Sequence, residues 1–204
     1  MNIENLIHKY NLNIRGVIHI GAHFGEEYTE YVNSNIKNMM FFEPLLDNFK
    51  ILLNNIKLSD NIKAYNIALG NTEGEIDMFV QVINTGGSGS ILEPEEHLIR
   101  YPDVKFNGKK VVKINKLDNI EYDRNKFNFI CIDVQGYELE VLRGATIVLH
   151  DIDYIMTEIN TVHLYKNGAL DTELDHYLLN FGFIRIESDW NGNGYGDALY
   201  IKNK

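Results

Sequence analysis

The chain has 204 residues, 45% of them hydrophobic and 24% charged, the make-up of a water-soluble globular protein with length for one core-forming domain over 1–204. Its 19 Lys and Arg stand against 29 Asp and Glu, a formal net charge of −10. That argues against nucleic acid as partner, since phosphate neutralisation needs clustered cations. No apolar run approaches the ~20 residues of a membrane span. The first 15 residues lack the basic-then-apolar build of a secretory signal. The single cysteine, Cys131, lies in an apolar run as a buried thiol, and a cytoplasmic, reducing setting is expected.

Taken in chain order, the pattern predicts a helix over 3–10 and a strand over 16–21. The strand runs into the small-residue turn Gly21-Ala22-His23-Phe24-Gly25, followed by a helix over 25–33. A second strand, 39–43, ends in Glu43-Pro44 before a helix over 45–56. A third strand covers 62–67. Residues 74–82 and 109–115 suggest short extra strands. Between them Thr85-Gly86-Gly87-Ser88-Gly89-Ser90 is too glycine-rich for regular structure and predicts a mobile loop over about 84–108, long enough to suspect function. A strand over 128–133, a helix over 136–149, a strand over 153–159 and a helix over 171–181 follow. The strands at 183–188 and 196–202 are joined through Trp190-Asn191-Gly192-Asn193-Gly194-Tyr195, whose Asn and Gly density reads as a hairpin.

Strand–helix alternation predicts an α/β fold with a mostly parallel seven-stranded sheet covered on both faces. The closing hairpin predicts an antiparallel C-terminal strand, because a parallel crossover needs a dozen or more residues. A turn after the first strand and an acid at the end of the second is how such sheets hold an adenosine-containing ligand. Strict Gly-x-Gly-x-x-Gly is missing.

The chain resembles the FkbM family of methyltransferases over nearly its whole length. The resemblance rests on Gly21 to Glu27, Phe42-Glu43-Pro44, Asn66-Ile67-Ala68-Leu69-Gly70, Gly87-Ser88-Gly89-Ser90 and Leu117-Asp118. It continues through Ile132-Asp133-Val134-Gln135-Gly136-Tyr137-Glu138-Leu139-Glu140-Val141-Leu142-Arg143-Gly144-Ala145, Thr157-Glu158 and Gly196-Asp197-Ala198-Leu199-Tyr200. The Asp133-to-Ala145 block is the most specific. His19 stands where many members carry an acid. The resemblance implies a class I methyltransferase Rossmann-like fold. It also implies transfer from S-adenosylmethionine to an oxygen, often a sugar hydroxyl of a glycan or secondary metabolite.

On that basis Gly21, Ala22, His23 and Gly25 should pack against the methionine part of the cofactor. Glu43 should accept both ribose hydroxyls, with Pro44 opening the next helix; a charge at a helix N-terminus is the plainer alternative. Asn66 and Ala68 should lie by the adenine, with Ile67 or Leu45 against the base. Ser88 or Ser90 should reach the methionine end. Asp133 either holds the ammonium group or acts as base; helix capping is its structural alternative. Glu158 should lie beside it, and His163 is the best-placed histidine to titrate near neutral pH. Asp133, Glu158 and His163 are therefore the base and positioning candidates. Two carboxylates can also chelate a divalent metal, but a metal-free reading is preferred because His163 could supply the base. Tyr165, Trp190 and Tyr195 border the same strand ends and either bind a sugar face or close a core. The rivals are a nicotinamide-dependent oxidoreductase or epimerase, whose pyrophosphate turn is missing, and a non-catalytic cofactor-binding module. The partner expected is a small-molecule or glycan acceptor; oligomeric state is left open.

Overall fold

The computed structural model describes residues 1–81 and 87–203. Ten strands and six helices follow in chain order: α1 (Ile3–Tyr10), β1 (Gly16–Ile20), α2 (Tyr28–Asn33), β2 (Asn38–Phe42), α3 (Leu46–Asn55), β3 (Ile62–Tyr65), β4 (Ala68–Leu69), β5 (Gly74–Gln81), α4 (Glu96–Arg100), β6 (Phe106–Asn115), β7 (Phe129–Ile132), α5 (Glu138–Arg143), β8 (Tyr154–Asn160), α6 (Asp171–Leu179), β9 (Phe183–Trp190) and β10 (Tyr195–Lys202). Seven strands form one sheet in the order β3-β2-β1-β7-β8-β10-β9. The first five pair in parallel, and β10 runs antiparallel to both β8 and β9. This is the layout expected, closing hairpin included.

Alternation along the strands sorts the core into two layers. Val17, Met39, Phe41, Phe129 and Met156 pack with Leu6 of α1, Tyr31 of α2 and Leu52 of α3. Ile18, Ile20, Met40, Ile130 and Ile155 pack on the other face with Val141 and Leu142 of α5 and Leu174 and Leu178 of α6. That second face also carries a three-stranded sheet, β4-β6-β5, in which β5 and β6 are antiparallel. No helix among the described residues is long and apolar enough to cross a membrane.

Four boundaries differ from the sequence pattern. The predicted helix at 25–33 starts only at Tyr28, because Glu26 turns back to accept the Phe24 N–H at 3.1 Å and pairs with His23 at 2.7 Å. The strand predicted over 62–67 stops at Tyr65, where the chain leaves the main sheet to start β4. The helix predicted over 136–149 is shorter. It ends at Arg143, and Asp118 then accepts the N–H groups of Ile147 and Val148 and the Thr146 hydroxyl, ordering a separate 3₁₀ turn at Val148–His150. The predicted irregular stretch falls partly on residues 84–86, outside the described residues. From Gly87 the chain runs as turns and bends with two isolated bridges, Ser90 to Phe79 and Pro94 to Tyr165; the regular structure inside the stretch is α4 and the start of β6.

Candidate active site

Parallel strands bring their carboxyl ends to one edge of the sheet, the place where open α/β sheets bind ligands. Gly21 follows β1, Glu43 follows β2, Asp133 follows β7, and Glu158 lies near the end of β8 opposite Asp197 of β10. Two cavities open along this edge and share Asp133, Gln135 and Gly87.

The first cavity has an apolar end of Leu45, Ile67, Ala68, Leu69, Met78 and Tyr137, and a polar end of Gly21, His23, Glu43, Asn48, Asp133 and Gln135. Glu43 is gripped by main chain: Oε2 accepts the His23 N–H at 3.0 Å and Oε1 the Leu45 N–H at 2.8 Å. Each oxygen keeps a further acceptor position. Burial pushes the Glu43 carboxyl up from 4.5 to about 7, against the downward pull of those two N–H bonds. The bond to Leu45 also makes Glu43 a brace at the start of α3, the plainer of the two sequence expectations for it. Asn66 does not line the cavity. Its amide donates to the carbonyls of Glu43 and Pro44 at 2.9 Å each, holding the turn from outside.

The glycines answer to packing more than to ligand approach. Gly21 has φ +83°, and a Cβ there would stand 1.8 Å from the Asp133 carbonyl oxygen. Gly25, at φ +78°, faces Leu52 of α3 and lies outside the cavity lining, as does the buried Ala22. His19 points away from the cavity into the helix layer, its Nδ1 3.0 Å from the Tyr31 hydroxyl; burial lowers its pKa and keeps it neutral.

The second cavity is lined by Asp133, Gln135 and Glu158, by His97, Tyr101 and Tyr195, and by Ser88, Val104 and Leu164. Its wall toward the first cavity is a side-chain bridge. Gln135 Nε2 donates to Asp133 Oδ1 at 2.7 Å and to Glu158 Oε2 at 3.0 Å. The Tyr165 hydroxyl lies 3.1 Å from Gln135 Oε1, which fixes the orientation of that amide. Asn160 Nδ2 donates to the other Glu158 oxygen at 3.1 Å. Glu158 is 7% exposed. Burial, then the nearby Asp133 and Glu138, push its carboxyl well above the usual range. Dense surroundings push Asp133 upward too, but more than a third of that residue faces the solvent of the cavities, and water screens the effect.

Asp133 is not a helix cap: α5 begins after Tyr137 with no side-chain cap, and Glu138 instead braces the turn before it, its Oε1 accepting the N–H groups of Val134 and Gly136 at 3.2 and 3.0 Å. Ser90 is fully buried with its hydroxyl donating to the Gln135 carbonyl at 2.7 Å, so it supports the wall and does not face the first cavity. His163 lines neither cavity; its Nδ1 bonds the Gly168 carbonyl at 2.8 Å. Of the three aromatics singled out, only Tyr195 reaches the second cavity. Tyr165 is core, and Trp190 lies at a separate surface hollow. Sequence reasoning missed Gln135, His97 and Tyr101. An amide two residues after a strand-ending acid was the one available signal for Gln135. His97 and Tyr101 ride on α4 and its end, inside the stretch taken as irregular. Among the described residues no three His, Cys, Asp or Glu side chains are grouped to hold a metal ion.

The family model for the FkbM methyltransferase domain matches residues 19–185. The 2-O-methyltransferase NoeI of Sinorhizobium fredii is 28% identical over 160 residues, covering 74% of this chain and 65% of that protein. The hexuronic acid methyltransferase AglP of Haloferax volcanii is 24% identical over 145 residues, covering 67% of this chain and 56% of that protein. The chain thus spans under two thirds of the length of either relative. Among solved structures, Streptococcus pneumoniae Sp1610 in complex with S-adenosyl-L-methionine superposes with a TM-score of 0.57 at 12% identity, covering all of this chain and 73% of that one. Magnesium protoporphyrin IX methyltransferase from Synechocystis with bound cofactor gives 0.55 at 7%, over 98% of this chain and 76% of that one. At those identities the likeness is one of fold. The chain belongs to the FkbM methyltransferase family.

Proposed function

We propose, from that membership, that the chain transfers the methyl group of S-adenosylmethionine to a hydroxyl of a saccharide acceptor. The observation that carries the reading is the shared wall: two cavities, one with an apolar end and a polar end, the other aromatic and acidic, meet at Asp133 and Gln135 with Glu158 on the far side. The names of the two relatives, a 2-O-methyltransferase and a hexuronic acid methyltransferase, support a sugar hydroxyl as acceptor.

The residues present fit the cofactor. Leu45, Ile67 and Met78 offer apolar surface for a purine. Glu43, held by two N–H groups, has acceptor positions left for a ribose diol. Asp133 offers a solvent-facing carboxylate for an ammonium group. When bound, the cofactor supplies an electrophilic methyl on a sulfonium, whose departure as a neutral thioether needs no acid. The protein's tasks are then alignment and removal of the acceptor proton. Glu158 takes that proton: it is buried, held at both oxygens by Asn160 and Gln135, and more basic than an ordinary carboxylate. A cation seated in the neighbouring cavity favours its ionised form by Coulomb attraction. Gln135 bridges Asp133 and Glu158 and offsets their repulsion. Leu164 and the aromatic rings limit water at the reacting hydroxyl.

The test is incubation of the purified protein with methyl-labelled S-adenosylmethionine and a saccharide panel, followed by mass spectrometry of the products and calorimetry with S-adenosylhomocysteine. A labelled methyl ether on a sugar is expected. Calorimetry showing NAD bound more tightly than S-adenosylhomocysteine would overturn the assignment in favour of a nicotinamide enzyme. Cofactor binding without transfer to any saccharide would retire the acceptor class.

A further inference from the structure

We infer that the second cavity takes an uncharged glycosyl unit and excludes a uronate or a phosphorylated sugar at the ring that accepts the methyl group. The inference rests on the acceptor role just proposed for that cavity. Among the described residues its charge is one-signed: Asp133 and Glu158 are the charged side chains of the lining, and no Lys or Arg belongs to it. Arg100 of α4, which precedes the lining residue Tyr101, is held at 2.9 Å by Glu96 and extends toward the Asn193 carbonyl at 3.5 Å. A carboxylate or phosphate entering here meets the buried Glu158, with Asp133 beside it, and finds no Lys or Arg in the lining to pair with, which disfavours the charged ligand.

His97 points the same way by an independent route. It lines the cavity yet is 4% exposed, packed among the rings of Tyr101, Phe106 and Tyr165 at centroid distances of 5.0, 5.4 and 5.3 Å. Its Nδ1 is buried and has no hydrogen-bond partner among the described residues. Native structures rarely leave such an atom unsatisfied, so it awaits one. Burial lowers the His97 pKa and keeps the ring neutral, so it offers a single uncharged hydrogen bond. A sugar hydroxyl, both donor and acceptor, satisfies either tautomer. The flat rings of Tyr101 and Tyr195 complete a surface suited to the CH face of a pyranose.

The experiment compares matched acceptors: pairs of methyl glycosides, each pair a neutral hexoside and the hexuronoside of the same stereochemistry, assayed with S-adenosylmethionine at pH 8. For the pair that is used, kcat/KM should favour the neutral member on the order of a hundredfold, mostly through KM. Val104, half-buried in the lining and outside the proposed machinery, allows a gain-of-function control. Val104→Arg should raise kcat/KM for the hexuronoside about tenfold and leave S-adenosylhomocysteine affinity unchanged. His97→Phe keeps the ring packing and removes the nitrogen. It should raise KM for the neutral acceptor roughly tenfold with kcat and thermal stability near wild type, a split that a purely structural role would not give. Transfer to the hexuronoside as efficient as to its neutral partner would overturn the inference and leave sugar O-methylation standing. Transfer to neither member of any pair would remove both.

Discussion

The buried acid of the first cavity is held by main chain, that of the second by side chains. In the first, Glu43 is fixed by two backbone N–H groups that come with the β1 and β2 turns themselves. In the second, Glu158 is fixed by two carboxamides, Gln135 and Asn160, and Gln135 is in turn oriented by Tyr165. A main-chain grip is inherited from the fold and survives most substitutions. A side-chain grip depends on particular residues and can change from one acceptor to another without disturbing the sheet. The contrast fits a fold shared with structures at 12% and 7% identity, since main-chain geometry does not depend on particular side chains.

The sharpest way to break this contrast is to separate chemistry from cofactor binding. Glu158→Gln preserves shape and leaves the first cavity intact, so S-adenosylhomocysteine affinity should stay within about threefold. Turnover should fall roughly a hundredfold or more, the usual scale for losing a proton acceptor. Single-turnover kinetics with calorimetry checks both. Full turnover would make Glu158 a structural acid and leave alignment alone to explain transfer. The converse variant, Glu43→Ala, should weaken cofactor affinity about ten- to a hundredfold, since a charged hydrogen bond to two hydroxyls is worth on the order of 1.5–3 kcal/mol. If affinity moves by less than twofold while stability drops, Glu43 only braces α3, and the first cavity has no ribose acceptor at that position.

The bridge itself gives a third test. Gln135→Leu keeps length and removes both donors between Asp133 and Glu158. Those donors favour the ionised acids, so their loss raises both carboxyl pKa values. Turnover should fall about tenfold near neutral pH, with the acid limb of the kcat profile moved to higher pH. An unchanged profile would show that the two acids are held apart by the strands alone.

The same contrast governs what the sequence made legible. Periodicity located all seven strands of the main sheet and the hairpin that reverses β10, because the central strands are apolar runs, the edge strands mix apolar and polar residues, and turns bound them. Gly21, Glu43 and Asp133 were found because strand ends can be placed by counting. The second cavity was largely hidden. His97 and Tyr101 come from α4, a five-residue helix in a stretch whose glycines suggested no regular structure, and only tertiary contact with Leu164, whose carbonyl accepts the Glu95 and His97 N–H groups, makes it form. His163 misled for the same reason. Sequence places it five residues after Glu158, but chain direction after β8 carries it to the Gly168 carbonyl and away from the site. Glycine was also over-interpreted: what forbids a side chain at Gly21 is the Asp133 carbonyl, a contact between strands that no local pattern displays.

The smallest effect expected, and the one that isolates the first cavity, is a pH dependence of cofactor affinity. Glu43 has its folded-state pKa raised from 4.5 to about 7 by burial. A raised carboxyl contributes stability that is fully present below pH 4.5, where both states hold the proton. That contribution is lost as pH rises to about 7, because the unfolded chain ionises first. Binding has the opposite sign. A ribose diol donates to the carboxylate, so affinity for S-adenosylhomocysteine should be greatest above pH 7 and weaken on acidification. The loss between pH 7.5 and 5.5 should be tenfold or less, roughly the change in the ionised fraction softened by the acceptor oxygen that a protonated acid retains. Asp133 titrates in the same direction and contributes to the wild-type curve, so the informative quantity is the difference from Glu43→Gln. That variant carries an amide in the same place and cannot ionise. Its affinity should be lower at pH 7.5 and nearly converge with wild type at pH 5.5, while its thermal stability relative to wild type should rise over the same interval as pH increases. Parallel curves, offset by a constant factor across the range, would mean that Glu43 is ionised throughout and that the main-chain grip already offsets the cost of burying its charge.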